Sequence, residues 1–274
     1  MSIVTSQQLK NYYSYYREIE VNFNTQVINA TGLLTNKIVF KCIGSRWPCI
    51  IYSTSMAHAK IIANLNPSFY DAVKKADNLI QLRFAFQRAE KSDPLTFFIA
   101  AKIDGFTPYD KKKGDLNFIS IHYTQKPPDD LIEILGLLLE AKECSKNRKS
   151  ERIVINPENS RVLGLRSKDT IVFIDDVPRK CLIRDLAFGG AKIILIGIAK
   201  FLIDKPIVLN MAFEDEKRIL SLPGKVIRNE EVSGRKDLTA LAIQFDENKI
   251  PLSFKMIINQ YFKQIHKSYA HNKT

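Results

Sequence analysis

A chain of 274 residues, 45% hydrophobic and 26% charged, has the make-up of a globular protein long enough for two domains that each bury a core. Its first residues lack the apolar stretch of a secretory signal, and its longest apolar run, 191–203, carries Lys192 and Lys200 and is shorter than the roughly 20 residues that cross a bilayer. The net charge of +12 is uneven: residues 1–140 hold 16 Lys/Arg against 13 Asp/Glu, residues 141–274 hold 25 against 16, so an anionic partner is expected at the second half.

The tyrosine-rich start places Tyr12 and Tyr16 at helical spacing, suited to packing a helix onto a barrel. Short alternating or apolar segments then read as strands at 25–30, 37–42, 49–53, 80–86, 97–103 and 118–122. A helix interrupts them at 67–77, with Pro67 at its start and Phe69, Val73 and Ala76 on one face. Trp47 is expected in a core or interface. Cys42, Cys49, Cys144 and Cys181 are too scattered for a disulfide framework and have no zinc spacing, so reduced, buried thiols in a cytoplasmic protein are expected.

Lys126-Pro127-Pro128-Asp129-Asp130 ends the strand pattern and starts a helix, in which Leu131, Ile134, Leu135, Leu138 and Leu139 recur at helical spacing to about Ala141. The polar stretch that follows is read as a boundary: one domain at 1–141, a linker at 142–152, a second domain at 153–274. Strands resume at 153–155, 160–165, 170–174, 180–185, 191–196, 206–213, 218–228 and 239–245, the apolar run 191–203 being read as buried. Asp175-Asp176 reads as a turn. Pro251 opens a last amphipathic helix with Phe254, Ile257, Ile258, Tyr261 and Phe262, and a polar tail from about His266 is expected to fray. No sequence repeat relates the halves. The fold class expected is mainly β, two small β-barrels with peripheral helices.

Two short patterns carry chemistry. Arg148 and Arg152 stand four apart at the start of the second barrel, and a guanidinium can pair with phosphate, bind the O6/N7 edge of guanine, or stack on a base. Taken alone, two spaced arginines also arise by chance in so basic a chain. Asp185-Leu186-Ala187-Phe188-Gly189-Gly190 follows a strand. A carboxylate there can accept from guanine N1–H and N2–H₂, and the glycines permit positive φ and close approach of a ligand; an ordinary hairpin turn reads equally well.

In this order the two patterns resemble the PilZ family: RxxxR as a barrel begins, then a D/NxSxxG turn. Arg148 and Arg152 match the first motif; Asp185, Ala187 and Gly190 match the second as DxAxxG. Leu222-Pro223-Gly224-Lys225-Val226-Ile227-Arg228 is similar to the family's GxVxR strand, Leu241–Phe245 to its penultimate strand, and 251–263 to its closing helix. The first half resembles the N-terminal domain of PlzA-type two-domain receptors. The resemblance implies a six-stranded PilZ barrel at the C-terminus, a PilZ-like barrel before it, and cyclic di-GMP as ligand. Arg148 and Arg152 would take guanine edges and phosphates, and Asp185 and the backbone near Gly190 would hold a guanine. Ala187 departs from the family's serine, which removes a hydroxyl partner, and Asn147 favours one bound ligand over a stacked pair.

Other readings stay open beside it. No GxSxG, HExxH or P-loop is present and His58, His122, His266 and His271 form no metal-ligand spacing, so neither an enzyme nor a metal site is expected. A basic barrel can bind nucleic acid through phosphates and base stacking, and a PilZ barrel that has lost its ligand can serve as a protein-interaction module. The receptor expected is a cytoplasmic monomer without membrane insertion, acting on a downstream protein partner through a change in domain arrangement.

Overall fold

The computed structural model describes residues 4–88, 92–109, 116–148, 150–197, 201–214, 216 and 219–271, which form two compact units divided between Leu139 and Glu140. The first unit begins with helix α1 (Ser6–Tyr16). Its Thr5 cap is reciprocal: the Gln8 N–H donates to Thr5 Oγ1 and the Thr5 N–H donates to Gln8 Oε1. The α1 residue Tyr12 is buried, and it packs as its spacing suggests. The partner it meets is a helix: a Cβ on Gly136 would lie 2.3 Å from the Tyr12 ring, so that glycine sets the approach of α1 to α4 (Asp129–Asn147).

Eight antiparallel strands complete this unit: β1 (Val21–Asn22), β2 (Val39–Cys42), β3 (Ser45–Pro48), β4 (Ile50–Thr54), β5 (His58–Asn64), β6 (Leu79–Phe86), β7 (Leu95–Pro108) and β8 (Leu116–Tyr123). Two helices lie between them, α2 (Thr25–Thr31) and α3 (Pro67–Lys75). The sheet order is β1-β4-β5-β8-β7-β6-β2-β3, a curled half-barrel left open where β3 runs into β4 at Cys49. Trp47, half-buried, stacks on Phe40 at 5.6 Å and meets Phe69 of α3 edge-on, so its ring lies against the core.

The second unit holds β9 (Ile153–Val154), α5 (Pro157–Leu163), β10 (Asp169–Ile174), β11 (Val177–Ala187), β12 (Gly190–Ile196), β13 (Pro206–Met211), β14 (Leu220–Val232), β15 (Arg235–Phe245) and α6 (Leu252–His271). Strands β10-β13-β14-β15-β12-β11 pair in that order, and a further β10–β11 pairing closes them into a six-stranded barrel, with β9 laid along β11. Asp175 and Asp176 make the β10–β11 turn with φ of 48° and 63°, a conformation aspartate tolerates. Inward residues such as Ile183, Ile193, Leu222, Leu241 and Ile243 fill the barrel. Helix α6 packs on it through Phe254, edge-on to Phe245 at 5.8 Å, and Phe262, 6.0 Å from Phe188.

The two units repeat one topology, which no sequence pattern revealed. In each the repeated pattern starts with a two-residue strand, β1 or β9, paired to a longer strand beside a bulge at Ile51/Ser53 or Ile183/Asp185. The next N–H, of Phe23 or Ile155, donates to the carbonyl of the bulged residue, Tyr52 or Arg184, at 2.9 or 2.8 Å. A seven-residue helix follows, capped by an asparagine and ended by a glycine, and after it a lone bridge, Leu33 to Phe86 or Leu165 to Phe213. The single strand β11 of the second unit corresponds to β3 plus β4 of the first, and that break is why only one barrel closes.

Several expectations need correction. The segments 25–30 and 160–165, read as strands, fall in α2 and, up to Leu163, in α5. Asn24 and Asn156 accept from the N–H of Val27 and Asn159 at 3.0 and 2.7 Å, and Gly32 and Gly164 stop the helices at φ of 70° and 64°. Caps at both ends outweigh the β-branched content. Helix α4 does not stop near Ala141 but runs to Asn147, and its Glu140 accepts from Lys263 at 2.7 Å and Asn259 at 3.2 Å of α6. Helix α6 likewise continues past His266 to His271. The run 191–203 is strand only to Ile196, after which Gly197 turns at φ 112°; Ile196, Phe201 and Ile203 are exposed, not buried. Lys149, Lys200 and Arg218 lie outside the described residues.

All four cysteines are free thiols, three buried and Cys144 half-buried. Burial pushes the Cys49 and Cys181 thiols up to about 12, which leaves them protonated and unreactive.

Candidate ligand-binding site

The two sequence motifs meet through the pairing of β9 with β11. Val154 stands opposite Asp185 and Ile153 opposite Leu186, so Arg152, the residue before β9, arrives beside the Asp185 carboxylate. Arg152 Nη1 donates to Asp185 Oδ1. Buried Ile153 anchors the short strand, while the bulge at Arg184 turns Asp185 to the outer face of the barrel. The Asp185 side chain is 13% exposed and that of Arg152 48%, an ion pair at the edge of solvent.

Arg148 is exposed one residue beyond α4, its N–H donating to Cys144 O at 2.9 Å, and its guanidinium is in no ion pair among the described residues. The structure therefore joins Arg152 to Asp185 and leaves Arg148 apart, one short segment away. Ala187 pairs with Gly190 across the two-residue turn Phe188-Gly189, and both are buried. The reason for Gly190 differs from the one expected. Its φ is not positive; a Cβ there would lie 2.2 Å from the Ile243 carbonyl oxygen, so close approach of β12 to β15 requires the glycine.

Beyond the motifs, the hairpin register places Lys192 directly opposite Asp185, Ala242 opposite Lys192, and Arg228 opposite Ala242. Lys192 donates to Glu230, which Arg228 also meets at 2.7 Å. That hydrogen bond from Lys192 is the main cause that holds Glu230 below the usual carboxylate range. Reading the motifs missed Lys192, although a two-residue turn at Phe188-Gly189 fixes its position across from Asp185.

The same corner of the first unit has other chemistry. There Asn22 stands opposite Ser53, and Ser53 Oγ donates to Glu20, the residue before β1. By position Glu20 corresponds to Arg152 and Ser53 to Asp185.

Comparison with known proteins accords with this architecture. Residues 7–142 match the PilZN3 domain and residues 146–263 the PilZ domain. Over 267 residues the chain is 46% identical to a protein of Treponema denticola described as a cyclic di-GMP binding protein, spanning 97% of this chain and 85% of the relative. The chain belongs to the PilZ family. Its PilZN3–PilZ order is the two-domain arrangement that the sequence led us to expect. Among solved structures it is similar to Borreliella burgdorferi PlzA in complex with c-di-GMP, at 27% identity and a TM-score of 0.42 over 94% of this chain and 99% of that one. It is also similar to the K. pneumonia MrkH–c-di-GMP complex, at 13% identity and a TM-score of 0.31 over 86% and 89%. In this PilZ barrel the second motif reads Asp185, Ala187, Gly190, with alanine where the family pattern has serine.

Proposed function

We propose that the chain is a cytoplasmic receptor for cyclic di-GMP, which binds at the outer rim of the C-terminal barrel against Arg148, Arg152, Asp185, Ala187 and the backbone at Gly190. The observation that carries this reading is the Arg152–Asp185 pair beside β9. The family membership and the 46% identical relative support it. Both members of the pair have a partner in a guanine nucleotide. The Asp185 carboxylate accepts from guanine N1–H and N2–H₂, and Arg152, once released, donates to O6/N7 or to a phosphate. In the free protein each stands in for the ligand of the other. Binding without turnover is the function proposed.

Calorimetric titration of the full chain with cyclic di-GMP tests the reading: saturable heat is the expected outcome, and none from folded protein overturns it. Ala187→Ser belongs in the same series. Restoring a hydroxyl beside the ligand is worth about 0.5–1.5 kcal/mol, so affinity should rise by about 2- to 12-fold; an unchanged affinity would show that position 187 does not face the ligand.

Because α4 continues to Asn147, the segment left to respond to the ligand is the short stretch from Arg148 to Arg152. Its fixation on the messenger is the step by which we connect binding to a downstream protein partner, within the segment 142–152 read from the sequence as the linker. Small-angle scattering should show a smaller radius of gyration at saturation; an identical curve with and without ligand would remove the conformational part of the proposal.

A further inference from the structure

Two opposite charges directly across a strand pair ordinarily find each other. Asp185 and Lys192 are so placed and do not: Asp185 is taken by Arg152, and Lys192 by Glu230. To reach Glu230 on β14 from β12, the Lys192 side chain has to cross β15, whose outward positions there are the small residues Ala240 and Ala242. Both are buried, at 2% and 7% exposure, although they face out from the barrel. The lysine stem covers them, and only 17% of the side chain remains exposed.

This arrangement leaves a cation one side-chain swing from the motif carboxylate. Along the same faces of β11, β12 and β15, the positions Ala187, Gly190 and Ala242 beside Lys192 and Asp185 are all small. An ammonium on a flexible stem is a point charge rather than a planar fork, so it suits a phosphodiester oxygen better than a guanine edge. Glu230 carries Arg228 as well as Lys192, so it keeps a cation when Lys192 leaves.

Building on the cyclic di-GMP reading of this site, we propose that Lys192 is a further ligand residue, contacting a phosphate of the messenger, and that Glu230 competes with that phosphate for it. Affinity is then set in part by a carboxylate two strands away from the motif. A purely structural lysine would instead affect stability and leave affinity alone.

The test is calorimetry with cyclic di-GMP on the parent chain, Lys192→Met, Lys192→Arg and Glu230→Gln, each with a thermal melt. Methionine keeps an unbranched stem over Ala242 and drops the charge. Expected are an affinity loss of about tenfold for Lys192→Met that narrows as salt is raised, recovery to within about threefold for Lys192→Arg, and a gain of about threefold for Glu230→Gln. Parent-like affinity in Lys192→Met, whatever its melting temperature, overturns the assignment; weaker binding by Glu230→Gln overturns the competition. If the parent itself gives no heat, the receptor reading fails first, and that result is distinct from a binding parent with an indifferent Lys192→Met.

Discussion

Replacing Arg152 by alanine is expected to weaken cyclic di-GMP binding by at least about 100-fold while moving the melting temperature by only a few degrees. The two effects separate because the residue has different work in the two states. In the free protein it makes one ion pair with Asp185, and its side chain is 48% exposed; a pair screened by that much water adds at most about 1 kcal/mol to stability. In the bound state it would give two parallel donors to a phosphate or a guanine edge, with water excluded by the ligand. Asp185→Ala should lose binding as well, and the double variant should lose less than the two single losses combined, since each side chain loses its free-state partner when the other is removed. Calorimetry and melting curves on the three variants decide the matter. Binding within about threefold of the parent in Arg152→Ala would mean that the site lies elsewhere on the barrel.

The second large effect is on folding. Gly190→Ala puts a Cβ 2.2 Å from the Ile243 carbonyl oxygen, which is backbone and has no rotamer to yield. The strands β12 and β15 must part locally, and the nearby Phe245 N–H to Gly189 carbonyl bond, 2.9 Å long, is strained with them. We expect a loss of about 2–4 kcal/mol and a melting temperature lower by roughly 10 °C. Gly105→Ala is the matched control: it also lies in a strand, and nothing stands within 4 Å of its Cβ. Equal melting temperatures for Gly190→Ala and the parent would show that β12 and β15 are not held so close in solution.

The parts of the fold legible in the sequence were those written by side-chain periodicity over enough residues. Alternation in 239–245 and the helical spacing of Phe254, Ile258 and Phe262 led to β15 and α6, and the two-motif order pointed to the barrel, whereas the direct pairing of Arg152 with Asp185 came only from the structure. Periodicity failed where an element is short. Segments 25–30 and 160–165 contain Val and Ile or Val and Leu at positions that suit either structure, and the deciding information lay in Asn24 with Gly32 and Asn156 with Gly164, at the ends rather than in the middle. The use of Gly190 was hidden for a related reason: a strand passing close to a carbonyl leaves no local pattern, only the absence of a side chain. Lys192 was hidden because its meaning depends on register, which single-strand patterns do not carry.

The twofold use of one frame separates two things that a family name joins. Asparagine caps, terminal glycines, the bulge and the two-residue strand recur in both units, and they are what build the corner. The side chains placed in it do not recur: Glu20 and Ser53 in one, Arg152 and Asp185 in the other. An anion approaching the first corner meets a carboxylate where the second offers a guanidinium. Architecture in this chain is thus written twice and the arginine–aspartate pair once, so likeness of backbone between its halves is no guide to likeness of chemistry.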